Sequence, residues 1–246
     1  MAQYAVPQYS SQPVETPTTT HHVASPAPLG LGMIGILTAI VGCFYTGFIT
    51  PFQATGIRTA LAPVLLIGGL ILVLAGMWEF RKGYMMTATT FTSYGGFLAI
   101  LGWIFLPSSG VLTALGGNAH LFLGLLFLCW TIFLGVLCLG ALRTNVSLAT
   151  TLVVLFAAYL LLMLGSFANN NSVLLKVGGW LAIASALIAW LASLASILST
   201  SSGREAFNLP FSDRLAVVED GGRRAGQGRG YEQGGSGYEQ TPHPQV

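Results

Sequence analysis

The chain has 246 residues, of which 53% are hydrophobic and 7% are charged, and its mean hydropathy is +0.71. An ordinary soluble domain carries about 25% charged residues. This composition therefore excludes an ordinary soluble protein and indicates an integral membrane protein. Three cysteines, all inside apolar runs, exclude a disulfide-stabilised secreted scaffold. No nucleic-acid partner is expected at a formal net charge of +2.

Most of the charge lies in two tails. Between residues 29 and 199 there are six charged residues, and the other twelve of the 18 lie outside this stretch. Residues 1–24 contain no Lys or Arg, so they do not form a signal peptide. Residues 201–246 are polar and Gly-rich. Because neither composition can bury enough apolar area to fold, we expect both tails to be disordered and residues 25–200 to form the membrane domain.

Six apolar segments are each about long enough to cross the hydrocarbon as a helix, which takes about 20 residues. In chain order they cover residues 29–50, 59–78, 89–106, 121–142, 146–167 and 177–199. The sequence therefore predicts an all-α integral membrane fold, a bundle of six transmembrane helices. An even number of spans puts both termini on one side. That side is flanked by four basic residues against two on the other, which predicts cytoplasmic termini: Arg81, Lys82, Arg143 and Arg204 against Arg58 and Lys176.

The first span opens with a proline-containing motif, Pro26-Ala27-Pro28-Leu29-Gly30-Leu31. Proline suits the first helical turn, where its missing N–H would have no partner. The remaining free N–H groups carry the positive end of the helix dipole, which favours a carboxylate or a phosphate. A plain helix start is the alternative interpretation.

Glu79 is the only acidic residue between residues 16 and 204. It is expected at the cytoplasmic end of the second span. Two interpretations stay open: an interfacial ion pair with Arg81, Lys82 or Arg143, or a gating or proton-linked carboxylate.

Six hydroxyl side chains fall within residues 87–94, where the third span opens. Most are expected to bond to carbonyl groups of their own helix, as membrane hydroxyls commonly do. Tyr94 is different, because a large ring with one hydroxyl donor stands beside Gly95-Gly96. In the sixth span, small residues recur at spacings of three or four and predict tight helix packing: Ala182, Ser185, Ala189, Ser193 and Ser196.

Catalytic patterns are absent from the sequence. The core has one acid and one histidine (His120), its cysteines lack metal-ligand spacing, and it has no P-loop. We therefore expect no enzyme activity, no metal and no cofactor. Passive or ion-coupled transport, or a structural membrane role, remains.

Four motifs, in order, resemble those of the acetate uptake transporter family, which includes the succinate–acetate permeases. They are the proline motif above, Gly76-Met77-Trp78-Glu79-Phe80, Thr89-Thr90-Phe91-Thr92-Ser93-Tyr94-Gly95-Gly96-Phe97, and Gly179-Trp180 followed by Gly203-Arg204 and Leu209-Pro210. The resemblance covers about residues 25–210. Ser25 stands where the family signature has Asn.

The resemblance implies a homohexamer in the cell (plasma) membrane, with one narrow pore in each protomer. It implies passage of acetate and related monocarboxylates, with propionate or succinate as further substrates, by a channel or by proton symport. Its constriction corresponds to Ile34, Tyr94 and Leu155, with Ile34 where the family often has Phe. The expected pathway residues are Ser25, Pro26, Ala27, Pro28, Leu29, Gly30, Thr90, Ser93 and Tyr94.

Two other functions stay open. One is a membrane-structural or interaction protein that acts through its tails. The other is a channel for a neutral small solute such as water or ammonia.

Overall fold

The structure, a computed structural model, describes residues 25–48, 55–143 and 146–202. The predicted N-terminal tail lies outside the described residues, as does the predicted C-terminal tail beyond residue 202. Six long helices are numbered here in chain order: α1 Ala27–Thr46, α2 Thr55–Arg81, α3 Met85–Phe105, α4 Ala119–Ala141, α5 Val146–Phe167 and α6 Ser172–Ser202. Each contains a stretch that is long and apolar enough to cross a membrane. The predicted fold, six membrane-spanning helices, is confirmed.

Helix boundaries differ from the predicted ones at two charged positions. α2 begins before Arg58 and α6 begins before Lys176, whereas the sequence prediction started each span just after the charge. A single basic residue is tolerated in the first turns of a membrane helix, because its long apolar stem lets the charged group reach the membrane surface or another polar site. Between α3 and α4 the chain forms a 3₁₀ turn, Pro107–Ser109, a short helix, Val111–Leu115, and a second 3₁₀ turn, Gly116–Asn118.

The six helices form a ring whose order is α3, α2, α1, α6, α5, α4. Neighbours in sequence are therefore neighbours in the ring, and α1 meets α6. The contact between α3 and α4 is the sparsest of the ring. A surface groove follows this junction and is lined by residues of both helices: Thr92, Ser93, Gly96, Phe97, Ile100, Leu126, Cys129 and Trp130.

Glycines bring two helix pairs into backbone contact. A Cβ atom on Gly95 of α3 would lie 2.5 Å from the Gly69 carbonyl oxygen of α2, and one on Gly69 would lie 2.5 Å from the Gly95 carbonyl oxygen. Gly42 of α1 and Gly179 of α6 face each other in the same way, at 2.7 and 2.8 Å. Small residues at such positions allow the close packing on which membrane helix association depends.

The small-residue stripe of α6 packs inside the protomer, which confirms the packing prediction. Ser185 Oγ donates to the Thr151 carbonyl of α5 at 3.0 Å, and Ser193 Oγ donates to the Pro28 carbonyl of α1 at 2.7 Å. The stripe therefore holds α6 between α1 and α5.

Successive spans run in opposite directions, so the two ends of the ring carry different residues. The Ser25 end holds the start of α1, the end of α2 and the start of α3. The Arg58 end holds the end of α1, the start of α2 and the end of α3. Both termini of the described core lie at the Ser25 end.

Candidate functional site

At the Ser25 end, Glu79 is buried against the first turn of α1. Glu79 is only 1% exposed. Ser25 Oγ donates to Glu79 Oε1 at 3.4 Å and accepts from the backbone N–H of Ala27 at 3.4 Å. The N–H of Ala27 also stabilises the negative charge of the carboxylate. The sequence predicted that this helix start favours a carboxylate, and in the structure the protein's own carboxylate occupies it.

The basic residues next to Glu79 have other neighbours. The Arg81 guanidinium lies 5.5 Å from the centre of the Trp78 ring, and Lys82 Nζ lies 5.5 Å from the centre of the Tyr84 ring. Lys82 still attracts the carboxylate electrostatically. The side-chain hydrogen bond of Glu79 thus comes from Ser25, just before α1, and Lys82 contributes from a distance.

About midway between the Ser25 end and the Arg58 end, three hydroxyl groups form a hydrogen-bonded chain. We call it the hydroxyl level, and its residues are Thr38, Tyr94 and Tyr159. Thr38 Oγ1 and the Tyr94 hydroxyl are 2.7 Å apart, and the Tyr94 and Tyr159 hydroxyls are 3.2 Å apart. All three side chains are buried. They come from α1, α3 and α5, so Tyr94 connects three helices across the interior.

The predicted constriction lies next to the hydroxyl level. Ile34 and Leu155 are fully buried, and each precedes a hydroxyl residue of its own helix by four positions. Four residues are about one helical turn, so both lie on the same helix faces as Thr38 and Tyr159, about 6 Å nearer the Ser25 end. Both side chains pack into the buried core at this level.

Of the hydroxyls in residues 87–94, Thr89, Thr90 and Ser93 bond within α3. Thr89 and Thr90 donate to the carbonyls of Met85 and Met86, at 2.8 and 2.9 Å. Ser93 Oγ donates to the Thr89 carbonyl at 2.6 Å and lines the α3–α4 groove. The two predicted pathway residues Thr90 and Ser93 therefore have their hydroxyl protons engaged by their own helix, whereas the Tyr94 hydroxyl reaches α1 and α5.

Thr38 and Tyr159 are the site residues that the sequence prediction missed. Each is a single hydroxyl residue near the middle of an apolar span, with no motif around it. Their position in the middle of an apolar span was the only sequence signal for them, because a polar group at that depth in the membrane needs a hydrogen-bond partner.

From the hydroxyl level to the Arg58 end the interior is aromatic. Phe97 and Trp130 stack with ring centres 4.5 Å apart, and Tyr159 stands edge-on to Phe97 at 5.4 Å. Phe127 continues the series, 5.8 Å from Tyr159 and 6.1 Å from Tyr45. Aromatic rings of this kind exclude water from the interior while offering edges and faces to a small solute.

A ring of six helices long and apolar enough to cross a membrane, with a hydroxyl level inside, is typical of a multi-pass membrane protein. The chain belongs to the GPR1/FUN34/yaaH family, whose model matches residues 8–210.

Several known proteins are similar to the chain. Acetate permease A of Emericella nidulans is 31% identical over 191 residues, which are 73% of this chain and 63% of that protein, so the chain spans less than two thirds of this relative's length. The succinate-acetate/proton symporter SatP of Escherichia coli is 30% identical over 183 residues, which are 74% of this chain and 93% of that protein. Ammonia transport outward protein 2 of Saccharomyces cerevisiae is 28% identical over 211 residues, 81% of this chain and 71% of that protein.

The structure of the bacterial acetate channel SatP superimposes with a TM-score of 0.65 at 26% sequence identity, covering 75% of this chain and 98% of that one. The family that the four motifs indicated is confirmed, as is the class predicted from it, a multi-pass membrane transporter or channel.

Proposed function

We propose that the chain passes acetate and related small monocarboxylates across the membrane through the interior of its helix ring. The hydroxyl level carries this proposal, because it places three hydroxyl groups in the middle of an otherwise apolar passage. The names of the acetate permease and the succinate-acetate symporter among the relatives support the substrate class. Propionate and succinate are further expected substrates.

A carboxylate leaving water needs replacement hydrogen bonds, since an unpaired charge in an apolar medium is prohibitive. Tyr94 would release Thr38 or Tyr159 and donate to the carboxylate instead. Hydrogen bonds to a charged acceptor are stronger than those between neutral hydroxyls, so the exchange is favourable. Neutral donors also avoid a deep trap from which the solute would not leave.

Ile34 and Leu155 supply the apolar part of the constriction. Their side chains accept the methyl group of acetate and give no hydrogen bonds to a hydrated ion. Because Ile34 is smaller than the Phe often found there in the resembling family, we expect propionate to pass as well.

Glu79 acts as the gate at the Ser25 end. Its carboxylate accepts from Ser25 Oγ and lies against the N–H of Ala27, the groups that an arriving carboxylate would need. Acetate must therefore compete with Glu79, and protonation of Glu79 weakens its hold on these donors. Residues 26–30 contribute the helix start that both carboxylates share. This exchange couples acetate entry to protons.

The experiment is labelled-acetate uptake into liposomes that contain the purified protein, with and without an inward proton gradient. We expect uptake that the gradient accelerates, and uptake of propionate in the same assay. Tyr94→Ala is expected to change both the rate and the acetate-to-propionate ratio. No uptake by the wild type, or unchanged rate and ratio in Tyr94→Ala, contradicts the proposal.

Passage of a neutral solute is the second candidate, because a relative is named as an ammonia transport protein. Flux measured against pH at fixed total acetate separates the two functions. Carboxylate passage follows the acetate gradient, and ammonia passage follows the ammonia gradient whatever the acetate concentration.

The remaining features of the proposal concern the whole molecule. The protein is a transporter without enzyme activity, metal or cofactor, it forms a homohexamer in the plasma membrane, and both termini are cytoplasmic. The basic residues at the Ser25 end, Arg81, Lys82 and Arg143, support this orientation. Deletion of residues 1–24 and 212–246 should leave acetate flux intact, whereas a protein acting through its tails would lose its activity.

A further inference from the structure

We propose that Arg58 forms a second carboxylate-binding site, at the end of the ring opposite Glu79, which captures the solute before it reaches the hydroxyl level. The identity of the ligand rests on the proposed function. The existence of the site rests on the surroundings of Arg58.

The Arg58 side chain points into the ring. Its guanidinium carbon lies 5.7 Å from the centre of the Phe44 ring of α1 and 5.4 Å from the centre of the Phe105 ring of α3. Both rings belong to the buried core and are 3% exposed. The cation therefore lies between α1 and α3, over rings that face the interior, and not on the lipid-facing side of α2.

No carboxylate of the core is available to Arg58. Glu79 is the only acid between residues 16 and 204. It lies 21 positions along the same helix, which is about 31 Å at 1.5 Å per residue. The Arg58 guanidinium therefore places a positive charge in this part of the ring without an acidic partner from the core.

The hydrogen-bonding capacity of Arg58 is incomplete in the described part of the chain. Its Nε atom is buried and has no hydrogen-bond partner there. The two aromatic faces attract the cation but accept no strong hydrogen bond. A buried donor without a partner is unfavourable, so an oxyanion arriving from outside would supply what the protein does not.

The chemistry of the site fits a small carboxylate. The planar guanidinium matches the two oxygens of a carboxylate, and Nε takes part in such paired contacts. The rings of Phe44 and Phe105 would surround the short apolar end. From Phe44 an aromatic series leads to the hydroxyl level, with ring centres 5.0 Å apart for Phe44 and Tyr45, 6.1 Å for Tyr45 and Phe127, and 5.8 Å for Phe127 and Tyr159.

A lipid phosphate offers the same oxyanion chemistry, so the first test removes lipid. The wild-type protein in maltoside micelles is treated with phenylglyoxal, which modifies arginine, with and without acetate, and each arginine is followed by mass spectrometry. We expect acetate to slow modification of Arg58 at least threefold and to leave Arg143 unchanged. Equal rates at Arg58 overturn the proposal. Protection by added phosphatidylglycerol but not by acetate also overturns it, because the ligand is then a headgroup.

The second test uses acetate uptake from the Arg58 side of liposomes. We expect Arg58→Gln to raise the half-saturating acetate concentration about tenfold, with Arg58→Lys in between because it keeps the charge but loses the planar fork. Lys176→Gln is the matched control, since it removes a positive charge from the same end, and its half-saturation should stay unchanged. An unchanged value in Arg58→Gln overturns the proposal.

The two tests separate failure of the site from failure of the proposed function. A wild type that protects Arg58 with acetate but shows no acetate flux keeps the site and loses the proposed function. A wild type with acetate flux and no protection of Arg58 keeps the function and loses the site. If Arg58→Gln does not fold, the protection experiment on the wild type still decides.

Discussion

Glu79 and Arg58, near opposite ends of α2, carry opposite charges in different surroundings. Glu79, near the Ser25 end, is buried, accepts a hydrogen bond from Ser25 and lies against the N–H of Ala27. Arg58, near the other end, lies on two aromatic rings, and the core offers it no acid. On the proposals above, a carboxylate solute would compete with Glu79 at the Ser25 end and would be attracted by Arg58 at the other end.

The largest expected effect comes from a change that disturbs both ends of the ring at once. Because α2 carries both charges, its packing on α3 sets the position of each. Gly95→Ala puts a Cβ atom 2.5 Å from the Gly69 carbonyl oxygen, so the two helices must separate. We expect a loss of about 2 kcal/mol of stability, typical of overpacking, and a fall in Tm measured in detergent.

Gly96→Ala is the matched control for this change. No heavy atom of the described residues lies within 4 Å of the Cβ position on the neighbouring glycine. Its Tm should equal or slightly exceed that of the wild type, because alanine favours the helix. Equal losses in the two variants would contradict the role given to the α2–α3 contact.

The next effect tests what lies between the two ends. Tyr94→Phe removes the hydroxyl shared by both hydrogen bonds, each worth about 1 kcal/mol, and leaves Thr38 and Tyr159 without this partner. We expect acetate flux to fall at least tenfold from either side. Tyr159→Phe removes one of the two bonds and should lower flux about fivefold.

A double variant tests whether the Tyr94 and Tyr159 hydroxyls act together. The double variant should lower flux little more than Tyr94→Phe alone, since the lost bonds overlap. Fully additive losses would show that the two hydroxyls act separately and not as one level.

A charge change at the Ser25 end sharpens the comparison directly. Glu79→Gln removes the negative charge that competes with acetate for Ser25 and Ala27. We expect the half-saturating acetate concentration on that side to fall about tenfold, because hydrogen bonds to a charged group are worth about 1.5–3 kcal/mol. The dependence of uptake on a proton gradient should weaken at the same time.

Uptake from the opposite side of the membrane is the internal control for Glu79→Gln. Half-saturation measured from the Arg58 side should not change, since Glu79 lies about 31 Å from Arg58 along α2. Equal shifts from both sides would rule out a gate confined to the Ser25 end.

The smallest effect is expected at Ser25 itself. Its side chain is exposed, and its hydrogen bond to Glu79 is long at 3.4 Å. Ser25→Ala should therefore change acetate half-saturation by about twofold or less, in line with other exposed substitutions. A shift as large as that of Glu79→Gln would assign the gate to Ser25 and not to the helix start.

The fold was predictable because bilayer thickness sets a length that apolar runs must meet. The start of α2 was misplaced because a charge in a sequence marks the end of an apolar run. Arg58 instead remains inside the helix, where Phe44 and Phe105 receive its guanidinium. Those rings come from α1 and α3, so only the tertiary arrangement reveals them.

The site was predictable where a motif identified it and not elsewhere. Tyr94 was singled out by its glycine neighbours, and the structure makes it the centre of the hydroxyl level. Thr38 and Tyr159 lie in apolar runs whose local sequence is ordinary for a membrane helix. The contact of Glu79 with Ser25 was also missed, because the two residues lie 54 positions apart in the chain.

The ring order has a consequence for synthesis. Because α1 meets α6, through Gly42 and Gly179, the first span completes its contacts only when the last one has left the ribosome. Until then α1 lacks the neighbour that its Gly42 face packs against, so closure of the ring must follow completion of α6.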